Sequence, residues 1–146
     1  MILNKDFKEL LELLNAQNVE YLIVGGYAVV FHGYPRYTGD IDIWINPTEK
    51  NASKILKCIK DFGFTSLGLT INDFTSPDSV VQLGYSPFRI DIMTSVSGIE
   101  FHESYKNKIR KEVDGIEITI INLEDLIKNK NAIGRHKDLN DIENLT

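Results

Sequence analysis

The chain has 146 residues, of which 42% are hydrophobic and 25% are charged, a composition typical of a globular protein with a real core. No run approaches the roughly 20 apolar residues that span a bilayer, and a net charge of −5 argues against indiscriminate nucleic-acid binding, which depends on neutralising phosphates. A single cysteine, Cys58, excludes an intrachain disulfide, so we expect a cytoplasmic protein with one domain over residues 1–146.

The first 39 residues predict a helix, a buried strand and a second helix. Four apolar residues recur at helical spacing after Asn4, a residue suited to an N-cap: Phe7, Leu10, Leu11 and Leu14. The apolar run 21–24 ends at Gly25-Gly26 and is typical of a buried strand. Residues 27–32 then form a short predicted helix closed by Gly33, and 34–39 form a loop.

The next segment predicts a strand followed by a long helix. Residues 40–45 begin with polar and apolar residues in alternation, the period-2 pattern of a strand. Asn46 as N-cap, Pro47 at the first helical position and Glu49 at the third predict a helix start. The helix then carries an apolar stripe and ends at Gly63; the stripe comprises Ala52, Ile55, Leu56, Ile59 and Phe62.

The second half predicts four strands and two helices. Residues 80–84 and 88–93 form two strands joined by a turn at 85–87, and 109–113 and 116–121 form a hairpin on Asp114-Gly115. Asn122 caps a helix to about residue 131, Gly134 ends it, and one side of a last short helix carries Leu139, Ile142 and Leu145. We therefore predict an α+β fold, a twisted mixed α/β sheet with helices packed on it and a helical tail at about 122–146.

The tripeptide Asp40-Ile41-Asp42 carries the strongest chemical signal. On a strand, the two carboxylates project from one face while Ile41 and Ile43 point to the core. Two adjacent anions raise each other's pKa unless a cation lies between them, and Mg²⁺ is the oxygen-preferring cation that fits. Two solvated carboxylates on an exposed strand face would explain the tripeptide equally well.

The residues around this tripeptide are of types that often bind phosphate. Gly25-Gly26 lacks Cβ atoms, so the backbone can approach a phosphate closely, and the first amides of the following helix are free donors. Arg36 and Thr38, in the loop before the acidic pair, suit a phosphate contact and a hydroxyl hydrogen bond. A plain tight turn and ordinary surface residues remain the alternatives.

A third acid, Asp91, lies in the alternating segment Arg89-Ile90-Asp91-Ile92-Met93. A lone acid among apolar neighbours is costly if it is buried without a partner. Beside Asp40 and Asp42 on a neighbouring strand, Asp91 would complete a three-carboxylate metal site. The alternative is an ion pair with Arg89 at the edge of the sheet.

Together these residues resemble the polymerase-β-like nucleotidyltransferase superfamily. The pattern is Gly25-Gly26, thirteen intervening residues, Asp40-Ile41-Asp42 and a distant third acid, Asp91. With Arg36 and Thr38 before the acidic pair, it looks most like small bacterial stand-alone members, including abortive-infection toxin-type and short antibiotic nucleotidyltransferases. The tail from Gly134 to Ile142 also looks like the helical end of those proteins.

The resemblance implies a mechanism and its residues. Two Mg²⁺ ions, or Mn²⁺, would be held by Asp40, Asp42 and Asp91. The acceptor hydroxyl would attack the α-phosphate of a nucleoside triphosphate in line, with pyrophosphate leaving, and Asp91 would help to deprotonate that hydroxyl. The residues implied for the nucleotide are Gly25, Gly26, Arg36, Thr38 and Lys137, with Arg135 as a further candidate. A solvated helix start would explain Lys137 and Arg135 equally well.

The resemblance leaves the acceptor and the partners open. The acceptor could be a small molecule such as an antibiotic, an RNA end or a protein side chain, and its site could be formed by residues after about 95, by a second subunit in a homodimer, or by a partner protein. The alternatives to catalysis are a nucleotide-binding or toxin–antitoxin regulatory module on the same fold, and a structural domain whose acids bind nothing.

Other residue types give weaker signals. Three scattered histidines, His32, His102 and His136, predict ordinary roles, Trp44 predicts a core position, and Cys58 predicts a half-buried inert thiol. Residues 104–137 hold eight Lys or Arg against five acids. They form either a locally basic face or scattered, solvated charges.

Overall fold

A computed structural model describes residues 3–64 and 67–146, so the first two residues of the predicted domain lie outside the described residues. In chain order the elements are α1 (Lys5–Ala16), β1 (Tyr21–Val24), α2 (Gly25–Phe31), β2 (Ile41–Ile45), α3 (Glu49–Phe62), a 3-10 turn (Ile71–Phe74), β3 (Val80–Leu83), β4 (Ile90–Met93), α4 (Phe101–Lys106), β5 (Ile109–Val113), β6 (Ile116–Ile120), α5 (Leu123–Ile133) and α6 (His136–Leu145). None of the helices in this part of the chain is long and apolar enough to cross a bilayer.

The six strands form one mixed sheet in the order β3-β4-β2-β1-β6-β5. Parallel pairing joins β2 to β4 and β1 to β6, while the other neighbours are antiparallel. With helices interspersed among the strands and two helices at the C-terminus, the architecture confirms the predicted α+β fold. The central strands β1 and β2 are almost wholly buried, which places the sequence's apolar runs in the core.

The amphipathic helix α1 forms as predicted. Its four stripe residues are buried, and the Asn4 side chain accepts hydrogen bonds from the backbone amides of Asp6 and Phe7. The cap supplies an acceptor for amides that have no partner inside the helix.

Helix α3 begins two residues later than its sequence pattern predicts, so the assignment of Asn46 as N-cap is wrong. The Thr48 hydroxyl is the capping group and accepts a hydrogen bond from the Asn51 amide. Asn46 instead donates to the Glu20 carboxylate and accepts from the Asn51 side chain through its carbonyl. The predicted stop is confirmed, since Gly63 adopts the left-handed conformation that favours glycine.

Other boundaries shift by one or two residues. Helix α2 begins at Gly25 itself and ends at Phe31, and β2 begins at Ile41, so Asp40 lies immediately before the strand. The hairpin turn at Asp114-Gly115 is confirmed, with a positive φ at both positions, as a type I′ turn requires. The short helix α4 was not predicted.

The C-terminal helices form at the predicted places, but α6 buries an unexpected side. The Asn122 side chain caps α5, and Gly134 ends it with a positive φ. Leu139, on the apolar side predicted for α6, is 46% exposed, whereas Asp138 and Asp141 are fully buried. The acids are buried because cationic side chains face them, as described below.

The remaining single residues are largely structural. Trp44 is in the core, as predicted, in edge-to-face contact with Phe101 at 5.1 Å between ring centroids. Cys58 is fully rather than half-buried, and burial raises the pKa of its thiol to about 11. A ring nitrogen of His32 lies 2.6 Å from the Ile121 carbonyl oxygen. Within 104–137, several cations face acids, including Arg110 with Glu117 at 3.7 Å.

Candidate active site

The pairing of β2 with β4 brings two of the predicted acids side by side. Asp42 and Asp91 are directly opposite each other in the parallel ladder, so their side chains emerge from the same face of the sheet. Asp42 also lies opposite Val24, the last residue of β1 before the diglycine. Asp91 is buried, at 8% exposure, and Asp40 adjoins the pair from the start of β2.

A cleft of about 500 Å³ lies over this end of the strands. It brings together the eight residues that the sequence predicts for the metal and the nucleotide: Gly25, Gly26, Arg36, Thr38, Asp40, Asp42, Asp91 and Lys137. Its lining also includes Arg135 and two basic residues that the sequence analysis missed as site residues, Arg89 and Lys130. The cleft is therefore lined by acids on the sheet and by cations from the loops and the C-terminal helices.

Asp42 is the least compensated anion of the cleft. Burial, together with the negative charges of Asp91 and Asp40, raises the pKa of its carboxyl to about 6 against the weaker opposing effect of Lys130 and Arg89. Within residues 3–64 and 67–146, none of the hydrogen bonds or ion pairs uses this carboxylate. A bound cation would relieve this arrangement.

The guanidinium of Arg89 bridges the other two acids. Its Nε and Nη2 donate to the two Asp91 oxygens at 2.6 and 3.0 Å, and Nη2 lies 3.2 Å from Asp40 Oδ2. The Arg89 amide donates to Asp40 Oδ1 at 3.0 Å. The ion pair between Asp91 and Arg89 therefore exists, but β4 lies inside the sheet between β3 and β2, not at its edge.

The donor set of the cleft suits a hard divalent cation, although it is not preassembled around one. Three carboxylates are the ligands that Mg²⁺ prefers. In the part of the chain that the structure describes, no three His, Cys, Asp or Glu side chains already surround a single metal position. The Arg89 guanidinium holds Asp40 and Asp91 instead. The three carboxylates could therefore bind a metal together only if Arg89 moved away from Asp40 and Asp91.

The diglycine lies directly against the acidic strand and the preceding loop. Gly25 has φ +66, and a Cβ atom built on it would overlap the Asp42 carboxylate. A Cβ on Gly26 would overlap the Thr38 hydroxyl and stand 3.3 Å from an Arg36 nitrogen. Only glycine permits so close an approach of the backbone to these polar groups.

Arg36 is held by the last helix. Its Nε and Nη2 donate to the two Asp141 oxygens, each at 2.8 Å, and its Nη1 donates to the Tyr37 carbonyl at 3.1 Å. All three guanidinium nitrogens are thus engaged within the protein, although Arg36 lines the cleft. Its contact with a phosphate stays a prediction, and its visible role is to join the loop before Asp40 to α6.

A buried charge cluster joins α5 to α6 beneath the cleft. Lys130 Nζ lies 3.0 Å from an oxygen of Asp138 and 3.0 Å from one of Asp141, and all three side chains are almost fully buried. Arg135 Nε lies 2.7 Å from Asp138. Burial by itself raises the pKa of Asp138, but hydrogen bonds from Arg135 and Lys130 outweigh it and lower the pKa to about 2.

The sequence contains a local signal for this cluster, although the predicted site does not include it. Asp138 and Asp141 are three residues apart and therefore share a helix face. Lys130 is four residues after the core residue Leu126, on the buried side of α5. Lys137, in contrast, is exposed at the cleft, and none of the ion pairs of the described residues includes it.

Replacing Gly25 with alanine is expected to destabilise the protein more than the same change at Gly68. Both glycines have φ near +65°, but only at Gly25 would the new Cβ meet another group, the Asp42 carboxylate. We expect Gly68→Ala to lower the free energy of unfolding by about 1 kcal/mol and Gly25→Ala by at least about 2 kcal/mol. Equal losses in chemical denaturation would contradict the close approach to Asp42.

Comparisons with known proteins give the family of the chain and two solved structures with a similar fold. A family model described as "Nucleotidyltransferase of unknown function" matches residues 2–146. A presumed nucleotidyltransferase from Thermotoga maritima has a similar structure, with a TM-score of 0.65 at 18% identity over 94% of this chain and 88% of that chain. The lincosamide antibiotic adenylyltransferase LnuA, solved with lincomycin bound, has a TM-score of 0.62 at 19% identity over 99% of this chain and 96% of that chain. No curated protein matches by sequence.

Proposed function

Because the chain belongs to a family of nucleotidyltransferases, we propose that it transfers a nucleoside monophosphate from a nucleoside triphosphate such as ATP to an acceptor hydroxyl. The observation that carries this proposal is the pairing of Asp42 with Asp91 in one cleft with the diglycine. The fold shared with the two solved structures supports the resemblance to the polymerase-β-like superfamily.

The three carboxylates are the proposed metal ligands. Asp40, Asp42 and Asp91 would hold Mg²⁺, in the family's manner two ions, with Mn²⁺ as a substitute. When bound, the metal would offset the charge of the triphosphate and of the developing leaving group. Asp42 supports this assignment best because its half-buried carboxylate lies beside two other acids.

The triphosphate is proposed to lie between the diglycine and the cations of the last two helices. Gly25 and Gly26 present bare backbone to the cleft, while the exposed ends of Arg135 and Lys137 supply positive charge. Thr38 offers a hydroxyl beside Gly26. Buried Lys130 contributes its charge from below rather than through a free hydrogen-bonding group.

In the proposed reaction, the acceptor oxygen forms a bond to the α-phosphorus. The bond from that phosphorus to the oxygen bridging the α- and β-phosphates breaks, and pyrophosphate leaves with the bonding electrons. The proton of the acceptor hydroxyl passes to Asp91, the proposed base. Side chains that fix the triphosphate therefore contribute mainly by positioning it for in-line attack.

The experiment that tests this function uses each of the four nucleoside triphosphates labelled at the α-phosphate. The protein, Mg²⁺ and cell extract are incubated with the label, and the products are separated into RNA, protein and small molecules. We expect one fraction to gain label only when both Mg²⁺ and the protein are present. If no triphosphate labels any fraction above the chelator control and above the same extract without the protein, the proposed transfer is wrong.

Replacing Lys137 with methionine is expected to weaken triphosphate binding. Lys137 is exposed at the cleft, so the substitution removes a positive charge that would face the triphosphate and disturbs no internal ion pair of the described residues. We expect the dissociation constant of the magnesium–triphosphate complex, measured by calorimetry, to rise about three- to tenfold. Lys57→Met, on the exposed side of α3, is the matched control and should bind like the wild type. Equal affinities of the two variants would contradict the role of Lys137.

A further inference from the structure

Arg89 occupies the position between two of the three proposed metal ligands. Both oxygens of Asp91 accept from its guanidinium, Asp40 Oδ1 accepts from its amide, and Asp40 Oδ2 lies 3.2 Å from its Nη2 as an ion pair. The pKa of Arg89 is raised, chiefly by the hydrogen bond to Asp91 and also by the charges of the three acids. It stays cationic under all ordinary conditions.

The guanidinium and a metal ion would use the same acceptors. A carboxylate that accepts two charge-assisted hydrogen bonds has its strongest acceptor directions occupied. Both oxygens of Asp91 and one oxygen of Asp40 accept hydrogen bonds from Arg89, and the second oxygen of Asp40 forms an ion pair with it. Asp42, in contrast, has no partner among the described residues. A metal shared by the three acids would therefore have to break contacts of Arg89.

We propose that Arg89 is an internal counter-cation, which holds Asp40 and Asp91 in the metal-free protein and is displaced when a divalent cation binds. The inference rests on the proposed function of the cleft. The Arg89 side chain is 27% exposed and lines the cleft, so a released guanidinium can move into the cleft or into solvent. Without it, three neighbouring carboxylates would repel one another whenever the metal is absent.

Removal of a residue that helps to build a metal site weakens metal binding, whereas this proposal predicts the opposite for Arg89. Removing Arg89 should tighten metal binding, because the cation no longer has to displace a charged competitor. The same change should destabilise the metal-free protein, since Asp40 and Asp91 lose their partner. Metal should then stabilise the variant more than it stabilises the wild type.

The test is a titration with Mn²⁺ in the absence of nucleotide. The free ion is measured at each step by electron paramagnetic resonance. Arg89→Met should bind Mn²⁺ about tenfold more tightly than the wild type, and Arg89→Lys, which keeps the charge but not the bidentate geometry, should lie between them. Arg110→Met removes an arginine from the exposed pair with Glu117 and should bind like the wild type. Thermal unfolding in chelator and in Mn²⁺ gives the second measurement.

The outcomes separate this inference from the proposed function. Tighter binding by Arg89→Met, with a lower melting temperature in chelator that Mn²⁺ restores, supports the inference. If the wild type binds Mn²⁺ and Asp42→Asn does not, but Arg89→Met binds equally or more weakly, Arg89 is not a competitor and the metal site still stands. If none of these proteins binds Mn²⁺, the metal-dependent function fails and the inference fails with it.

Discussion

Asp42→Asn is expected to lower nucleotidyl transfer by roughly a thousandfold or more, a loss of about 4 kcal/mol of transition-state stabilisation. Asp42 is the central acid of the cleft, opposite Asp91 in the ladder and beneath Gly25. Asparagine keeps the size of the side chain but removes the charge that we propose binds the metal. The stabilisation of the protein by Mg²⁺ should disappear with the activity.

The same substitution is expected to stabilise the metal-free protein. Burial and two neighbouring acids raise the pKa of Asp42 to about 6, above its value of about 4 in an unfolded chain. A carboxyl with a raised pKa favours the folded state below about pH 4, and this contribution is lost as the pH rises through about 6. At pH 7.5 the charged form therefore opposes folding, and removing it should increase the free energy of unfolding by about 1–3 kcal/mol.

Chemical denaturation in chelator, paired with the transfer assay, checks both effects on the same preparations. Asp61→Asn, on the exposed side of α3 and away from the cleft, is the matched control and should change neither stability nor activity. An inactive but more stable Asp42→Asn protein excludes misfolding as the cause of inactivity. Full activity in this variant would contradict the proposed site.

The second large effect is expected at the buried charge cluster. Asp138→Asn should lower the free energy of unfolding by about 3 kcal/mol, because it removes one of the two carboxylates that compensate a buried ammonium. Lys130 is almost fully buried and lies 3.0 Å from both Asp138 and Asp141. Arg135 would lose its carboxylate partner as well.

An exposed ion pair supplies the control for this variant. Lys128 lies 3.4 Å from Glu124 on the surface of α5, and Lys128→Met should cost less than about 0.5 kcal/mol. Urea denaturation of the two variants and the wild type measures the difference. Similar losses in both variants would mean that the Asp138 cluster contributes no more than a surface pair.

The cluster also predicts the acid limit of stability. The pKa of Asp138 is lowered to about 2 in the folded protein, and that of Asp141 is lowered as well. A depressed pKa contributes stability above about pH 4, and that contribution is lost as the pH falls from about 4 to about 2. The difference in unfolding free energy between wild type and Asp138→Asn should therefore be constant above about pH 5 and narrow below pH 4. A difference that does not change between pH 5 and pH 2 would contradict this assignment.

The acids of the cleft could be found from the sequence because their spacing is local. Strand periodicity alone puts Asp40 and Asp42 on one face, and the alternating segment around Asp91 identifies another strand. That Asp42 and Asp91 are neighbours depends on the parallel pairing of β2 with β4, which no local pattern specifies. The family resemblance supplied that long-range relation.

The cations were harder to find because their partners are distant in the chain. Lys130 is one of the eight basic residues of 104–137, for which the sequence predicts either a basic face or solvated charges. Its burial depends on acids eight and eleven residues later. Arg36 is linked to Asp141, which is 105 residues away. The prediction of Asn46 as a helix cap is wrong for the same reason, because its side chain donates a hydrogen bond to Glu20, 26 residues earlier in the chain.

The most direct test of the central claim is a crystal structure with Mn²⁺ and a non-hydrolysable nucleoside triphosphate, with an anomalous difference map at the manganese edge. We predict a manganese peak bound by Asp40, Asp42 and Asp91, with phosphates beside Gly25 and Arg89 withdrawn from the acids. A triphosphate bound elsewhere, with Arg89 still bridging Asp40 and Asp91 and no manganese between them, would contradict the proposed active site.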